Sequence, residues 1–231
     1  LRTLRYRLEQ ILQRLASCGL KLKPSKCRLL QTSVTFLGHV VSAEGIATDP
    51  EKTRSVEEWP VPVSVKEVRG FLGLSGYYRK FVKDYARIAA PLTALTRKGQ
   101  HFEWTSECQV AFDALKRALT TPPVLAMPDD QGSFILDTDA SDVSVGAVLS
   151  QVQGGVERVI AYGGRSLSRQ ERNYCITRRE LLAVVYFVRY YRQYLLGRRF
   201  LVRTDHSALT WLHRTTEPIG QNARWLEQLG E

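Results

Sequence analysis

Three acidic residues sit where chemistry can be built. Asp139 closes the run Phe134-Ile-Leu-Asp-Thr-Asp-Ala-Ser141, Glu180 lies in Thr177-Arg-Arg-Glu-Leu-Leu-Ala183, and Asp205 closes Phe200-Leu-Val-Arg-Thr-Asp-His206. Two aspartates at strand ends and one glutamate on a helix are the parts of a carboxylate-only site for two metal ions. Hard oxygen donors with no Cys or His cluster beside them favour magnesium, with manganese as a substitute, over zinc. Two such ions about 4 Å apart stabilise both the attacking and the leaving oxygen of an in-line displacement, so the chemistry expected is phosphoryl transfer. Plainer roles exist for the same residues. Asp and Ser end strands because they favour turns, Thr177-x-x-Glu180 fits a capping box, and Asp137 shares strand parity with Asp139, so spacing alone leaves the choice between these two open.

Such a site needs a sheet to assemble it. Three β-like runs, Phe134 to Asp139, Val143 to Gln151 and Glu157 to Tyr162, with a turn at Gln153-Gly-Gly155, predict an antiparallel meander. A helix from about Thr177 to Leu196, a strand from Phe200 to Thr204 and a helix at Ala208 to His213 follow, an order that predicts an α/β domain with a mixed sheet. Upstream, Leu4, Leu8, Ile11, Leu12 and Leu15 lie at helical spacing with Gly19 as the C-cap. The runs Cys27 to Leu30 and Val34 to Val41 read as a hairpin turning at Gln31-Thr-Ser33, which puts Gly38 inside a strand as a bulge or a point of close backbone approach. Asp49-Pro50 starts a helix that Trp59-Pro-Val-Pro62 stops. Ser64-x-x-Glu67 caps another, through Leu72, and a further helix covers roughly Ala86 to Thr96. After the break at Lys98-Gly-Gln100, Cys108, Ala111, Phe112, Leu115 and Leu119 form one helical stripe. Pro122-Pro123 and Pro128-Asp-Asp-Gln-Gly132 read as linker and turn.

The chain of 231 residues is long enough for one large domain or two ordinary ones, and 44% hydrophobic content marks it as globular. Its 33 Lys and Arg against 23 Asp and Glu give a net charge of +10, which suits a polyanionic partner. In Gly70 to Phe81, Tyr77, Tyr78, Arg79 and Lys80 offer contacts to a nucleic-acid backbone, while a core role competes for Phe71, Tyr77 and Phe81. Cys18, Cys27, Cys108 and Cys175 show no CxxC pairing and are expected as reduced thiols in an intracellular setting, cytoplasmic or in virus-like particles, with the nucleus as a further option. No apolar run reaches membrane-spanning length, so no membrane partner is expected. The first residue is not Met and the sequence opens inside a helical pattern, so the chain is expected to be a fragment with neighbours on both sides.

Six blocks together resemble the pol polyprotein of gypsy-type long-terminal-repeat retrotransposons: Leu20-Lys-Leu-Lys-Pro-Ser-Lys-Cys27, Phe36-Leu-Gly-His39, Asp49-Pro-Glu-Lys52, Phe71-Leu-Gly-Leu-Ser-Gly-Tyr-Tyr-Arg79, Thr138-Asp-Ala-Ser141 and Thr204-Asp-His206. The resemblance implies an α+β reverse transcriptase piece. Residues 1–48 would end the palm with its primer-grip hairpin, 49–98 would form a helical thumb, 99–130 a connecting segment, and 131–231 a C-terminally incomplete ribonuclease H-like domain with a mixed sheet flanked by helices. It also selects Asp139, Glu180 and Asp205 as catalytic, metal-holding carboxylates, with a fourth beyond Glu231. Phe36, Leu37, Gly38 and His39, with the thumb, would hold a hybrid or primer-template duplex. His206 would be a surface or supporting residue. The paired aspartates of the family's polymerase centre are absent, since Asp129-Asp130 lies in a Pro/Gly turn. The implied activity is hydrolysis of the RNA strand of an RNA–DNA hybrid, with the rest of the polyprotein as partner and self-pairing left open. A non-catalytic nucleic-acid-binding or subunit-interface remnant is the alternative.

Overall fold

The structure is a computed structural model and describes residues 2–205, which divide into two compact units, one up to residue 34 and one from residue 35 onward. In the first unit, α1 (Arg2–Ser17) ends as expected. Gly19 is left-handed (φ 70°), and the bonds Gly19 N–H to Ala16 C=O and Leu20 N–H to Leu15 C=O close a Schellman motif.

The hairpin lies further along than the sequence suggests. Cys27 to Leu30 forms no strand; instead β1 (Ser33–Phe36), β2 (His39–Ser42) and β3 (Gly45–Thr48) make a sheet in that order. Leu37 and Gly38 both have positive φ, 48° and 71°, so Phe36-Leu-Gly-His39 is a two-residue turn rather than a strand with a bulge.

The helical layer follows: α2 (Pro50–Glu57), α3 (Val65–Tyr77), α4 (Tyr85–Ile88), α5 (Ala90–Leu95) and α6 (Ser106–Thr120). Asp49 and Ser64 cap α2 and α3 as expected, accepting from the N–H groups of Glu51 and Glu67. Two expected helices differ in extent. α3 runs past Leu72 because its buried stripe continues through Phe71, Ser75 and Tyr78. The single helix over 86–96 is two, since Pro91 has no N–H to offer Arg87 and starts a new helix instead. The α6 stripe Cys108, Ala111, Phe112, Leu115 and Leu119 is buried against Val56, Val68, Phe71 and Leu92; each large side chain so buried contributes about 2 kcal/mol.

The second sheet has the order β6-β5-β4-β7, built from β4 (Phe134–Ala140), β5 (Ser144–Gln153) and β6 (Val156–Ser166) as an antiparallel meander and β7 (Phe200–Arg203) parallel to β4. It is the mixed sheet expected. Between β6 and β7 lie α7 (Ile176–Tyr190) and α8 (Arg192–Leu195), where one helix was expected. The interruption is Tyr191, which is buried and reaches Ala161 C=O with its hydroxyl. Val145, Ala147 and Leu149 face α7, whereas Gly146 faces Asp84 of the helical layer. The Gly163-Gly164 pair serves both sides. A Cβ on Gly163 would lie 2.6 Å from the Tyr191 hydroxyl and 2.7 Å from Phe187, and one on Gly164 would touch Ala86 at 3.4 Å. The expected helix at 208–213 and His206 lie outside the described residues. Among the described residues, no helix is long and apolar enough to cross a membrane.

Candidate metal centre

Phe134 and Leu136 bury one face of β4 under α7, which anchors the strand and carries its C-terminal end, Asp139, to the rim of the core. β7 runs alongside in the register Phe134↔Phe200 to Asp137↔Arg203, and continuing that register sets Asp205 level with Asp139. Glu180 arrives from the first turns of α7. Oxygens of Asp139, Glu180 and Asp205 all lie within 4.8 Å of one another.

Glu180 is not a helix cap. The N-cap position is Cys175, and the Glu180 side chain turns inward, 3% exposed, where Oε1 accepts the N–H of Ala140 at 3.2 Å. Its Oε2 is buried and has no hydrogen-bond partner among the described residues. Burial, and after it the charges of Asp139 and Asp205, push its pKa up to about 7, against the pull of the Ala140 N–H and Arg179. An acid so placed holds a proton below about pH 7, and loading it with a cation there releases that proton. Arg179, which the sequence reading passed over, donates to Ser141 C=O at 3.1 Å and to the Asp142 carboxylate, so it straps the β4–β5 turn to α7 beside Glu180.

Asp137 is engaged elsewhere. Arg203 grips it with two bonds, Nε at 2.6 Å and Nη2 at 2.7 Å, and holds Glu157 as well. The geometry therefore separates the two aspartates that spacing left equivalent.

Most of the residues proposed for nucleic-acid contact gather at the first hairpin's turn. Phe36 and Leu37 are exposed, and Tyr77, 52% exposed, donates to Leu37 C=O. Tyr78 is 1% exposed and donates to Gly38 C=O at 2.9 Å; burial raises its pKa to about 12. Tyr78 is thus a core residue that fastens the turn and has no face for a ligand. Helical spacing from Phe71 was the signal for that. Tyr77, by contrast, is outside the core that competed for it. His39 lies against Tyr77, Tyr78 and Phe81 at 5.4 to 5.7 Å, and burial lowers its pKa. Arg79 is exposed and reaches the hydroxyl of Tyr190 at 3.3 Å, while Lys80 is half-buried over the Phe81 ring.

Residues 104–202 match the family model of the RNase H-like domain found in reverse transcriptase. Over that stretch the chain is similar to this family. Along nearly its whole length it is similar to transposon Pol polyproteins. It is 41% identical over 225 residues to the retrovirus-related Pol polyprotein from transposon 297 of Drosophila melanogaster, covering 97% of this chain and 21% of that protein. Against the Pol polyprotein from transposon gypsy of the same organism the identity is 36% over 232 residues, covering 94% and 22%. The chain spans about a fifth of the length of these relatives. A foamy viral protease-reverse transcriptase, solved in complex with RNA/DNA hybrid, has the same fold, with a TM-score of 0.81 at 23% identity over 100% of this chain and 32% of that one.

Proposed function

We propose that this chain hydrolyses the RNA strand of RNA–DNA hybrids in a divalent-metal-dependent reaction, as part of a larger polyprotein with reverse transcriptase. The observation that carries this reading is the convergence of three carboxylates from three separate elements within 4.8 Å. The donor set fits a hard cation: every ligand atom is oxygen, and the buried Oε2 of Glu180 lacks a hydrogen-bond partner among the described residues. Asp139, Glu180 and Asp205 would hold two magnesium or manganese ions. Bound there, the ions would activate water and neutralise charge developing on the phosphoryl oxygens. Glu180 gives up its proton on loading, and its bond from Ala140 N–H fixes its remaining oxygen toward the cluster. Arg179 holds the neighbouring turn so that Asp139 keeps its place.

The division into palm end (1–48), thumb (49–98), connecting segment (99–130) and ribonuclease H-like domain (131–231) belongs to the same proposal, as does an intracellular location. The duplex would lie along the hairpin turn and Tyr77, Arg79 and Lys80, held through its backbone and shape. The polymerase centre lies outside this chain, which extends no primer.

Incubation of the full chain with a hybrid labelled on its RNA strand tests the reading. Cleavage is expected with magnesium or manganese, to stop with EDTA, and to be lost in Asp139→Asn. With the three carboxylates found among the described residues holding two divalent ions, it is expected to be feeble and to need high magnesium or manganese. Cleavage that persists in EDTA, or survives the substitution, rejects the proposal.

A further inference from the structure

The groove beside Asp139 has a second wall that comes from the helical layer. A cavity of about 270 Å³ is lined by Asp137, Asp139, Gly146 and Val148 on the sheet side and by Lys83 and Asp84 opposite. The wall is rigidly placed. Phe81 and Val82 before it and Ala86 after it are buried, and Asp84 adopts a left-handed turn with φ 59°. The glycine pair Gly146↔Gly164 leaves the sheet bare where this turn approaches, since a Cβ on Gly146 would stand 3.5 Å from the Asp84 carboxylate. Asp84 is paired with Arg87 at 2.9 Å, so its charge is largely balanced. Lys83 is exposed and makes no ion pair among the described residues.

We infer that Lys83 binds a backbone phosphate of the nucleic acid next to the one presented to the carboxylates, and so positions the strand in the groove. This rests on the hydrolytic reading of the site. A cation on one wall facing a carboxylate cluster on the other suits a phosphodiester chain: one phosphate is drawn to the metal-loaded acids, and its neighbour to the ammonium. The lysine acts as a point charge that reads the backbone without reading sequence.

The test measures binding of the full chain to an RNA–DNA hybrid by fluorescence anisotropy across a salt series, with calcium replacing magnesium so that affinity is read without turnover. Lys83→Ala is expected to weaken binding about fivefold and to reduce the slope of log affinity against log salt by about one, while Lys83→Arg stays near the wild type. Wild-type affinity and slope in Lys83→Ala, in a protein that otherwise binds and cleaves hybrid, overturns the role of Lys83 alone. Weaker binding with an unchanged slope overturns it too, because that is a structural effect rather than a lost phosphate contact. If the unsubstituted chain neither binds nor cleaves hybrid, the hydrolytic reading fails and the inference falls with it.

Discussion

At the Phe134↔Gln151 end of the β4–β5 ladder a fully buried amide has all its polar groups in use, whereas at the Ala140↔Val145 end a buried carboxylate oxygen has no partner among the described residues. Gln151 accepts from Asp129 N–H at 2.8 Å and from the Gln153 amide at 2.9 Å, and it donates to the carbonyls of Asp129 and Gly132, both at 2.9 Å. Among the described residues Glu180 has one hydrogen bond and two acidic neighbours, and its pKa is shifted upward. The same two strands therefore carry a self-satisfied polar knot at one end and an unsatisfied one at the other. A buried polar group left without a partner costs about 1–3 kcal/mol, more when charged, so the second end is kept at the expense of stability and calls for a ligand.

Substitutions at the two ends should then have opposite signatures. The largest effect is expected from Asp139→Asn. Residues that merely orient metal ligands are worth about 10–100-fold, so loss of a ligand itself should lower hybrid cleavage by at least about a hundredfold. Folding should be intact, since a repelling charge has been removed; thermal melting in EDTA at neutral pH checks this, and a fall in Tm would count against the contrast. Next is Gln151→Ala. It removes a fully buried side chain and its bonds to the N–H of Asp129 and to two carbonyls of a part-exposed turn, and should cost about 1–2 kcal/mol in urea unfolding, with cleavage per folded molecule unchanged.

A smaller effect is expected from pH. The folded-state pKa of Glu180, about 7, lies above the ordinary 4.5, so between these values the folded protein keeps a proton that the unfolded chain has released. Its contribution to stability is complete below about pH 4.5 and is lost as pH rises through about 7. In EDTA, the Tm difference between Glu180→Gln and the unsubstituted protein should therefore grow in favour of the variant from about pH 4.5 to 7, and level off above. A difference that stays constant over that window would remove Glu180 from the set of strained groups.

Local signals explain what the sequence made legible. The α6 stripe, the meander with its Gly154-Gly155 turn and the caps at Asp49 and Ser64 all depend on residues a few positions apart, and each formed where periodicity and capping chemistry put it. The convergence of Asp139, Glu180 and Asp205 depends on long-range register, which no spacing states; the family resemblance supplied it. The hairpin was misplaced because Val34 to Val41 is uniformly β-like, and only the paired positive φ of Leu37 and Gly38 marks the reversal. The second groove wall was invisible for a related reason. Lys83 and Asp84 meet the sheet only because Gly146 and Gly164, 18 residues apart, fall side by side in the β5–β6 ladder.

The smallest predicted effect is also the sharpest test of the site's composition. Asp137 and Asp139 share a strand, a face and a groove, so Asp137→Asn and Asp139→Asn remove the same charge from nearly the same field. What differs is the partner. The Asp137 side chain is 34% and that of Arg203 44% exposed, so the fork between them is screened by solvent and its loss should cost under about 1 kcal/mol. Arg203 would keep Glu157 as a partner. Cleavage by Asp137→Asn is thus expected to stay within about tenfold of the unsubstituted protein, below the range for residues that orient metal ligands. The general field at the groove is common to both variants, so the ratio of their cleavage rates isolates direct participation by Asp139. Equal losses in the two would mean that field strength, rather than ligation, governs the rate, and the three-carboxylate centre would have to be redrawn to include Asp137.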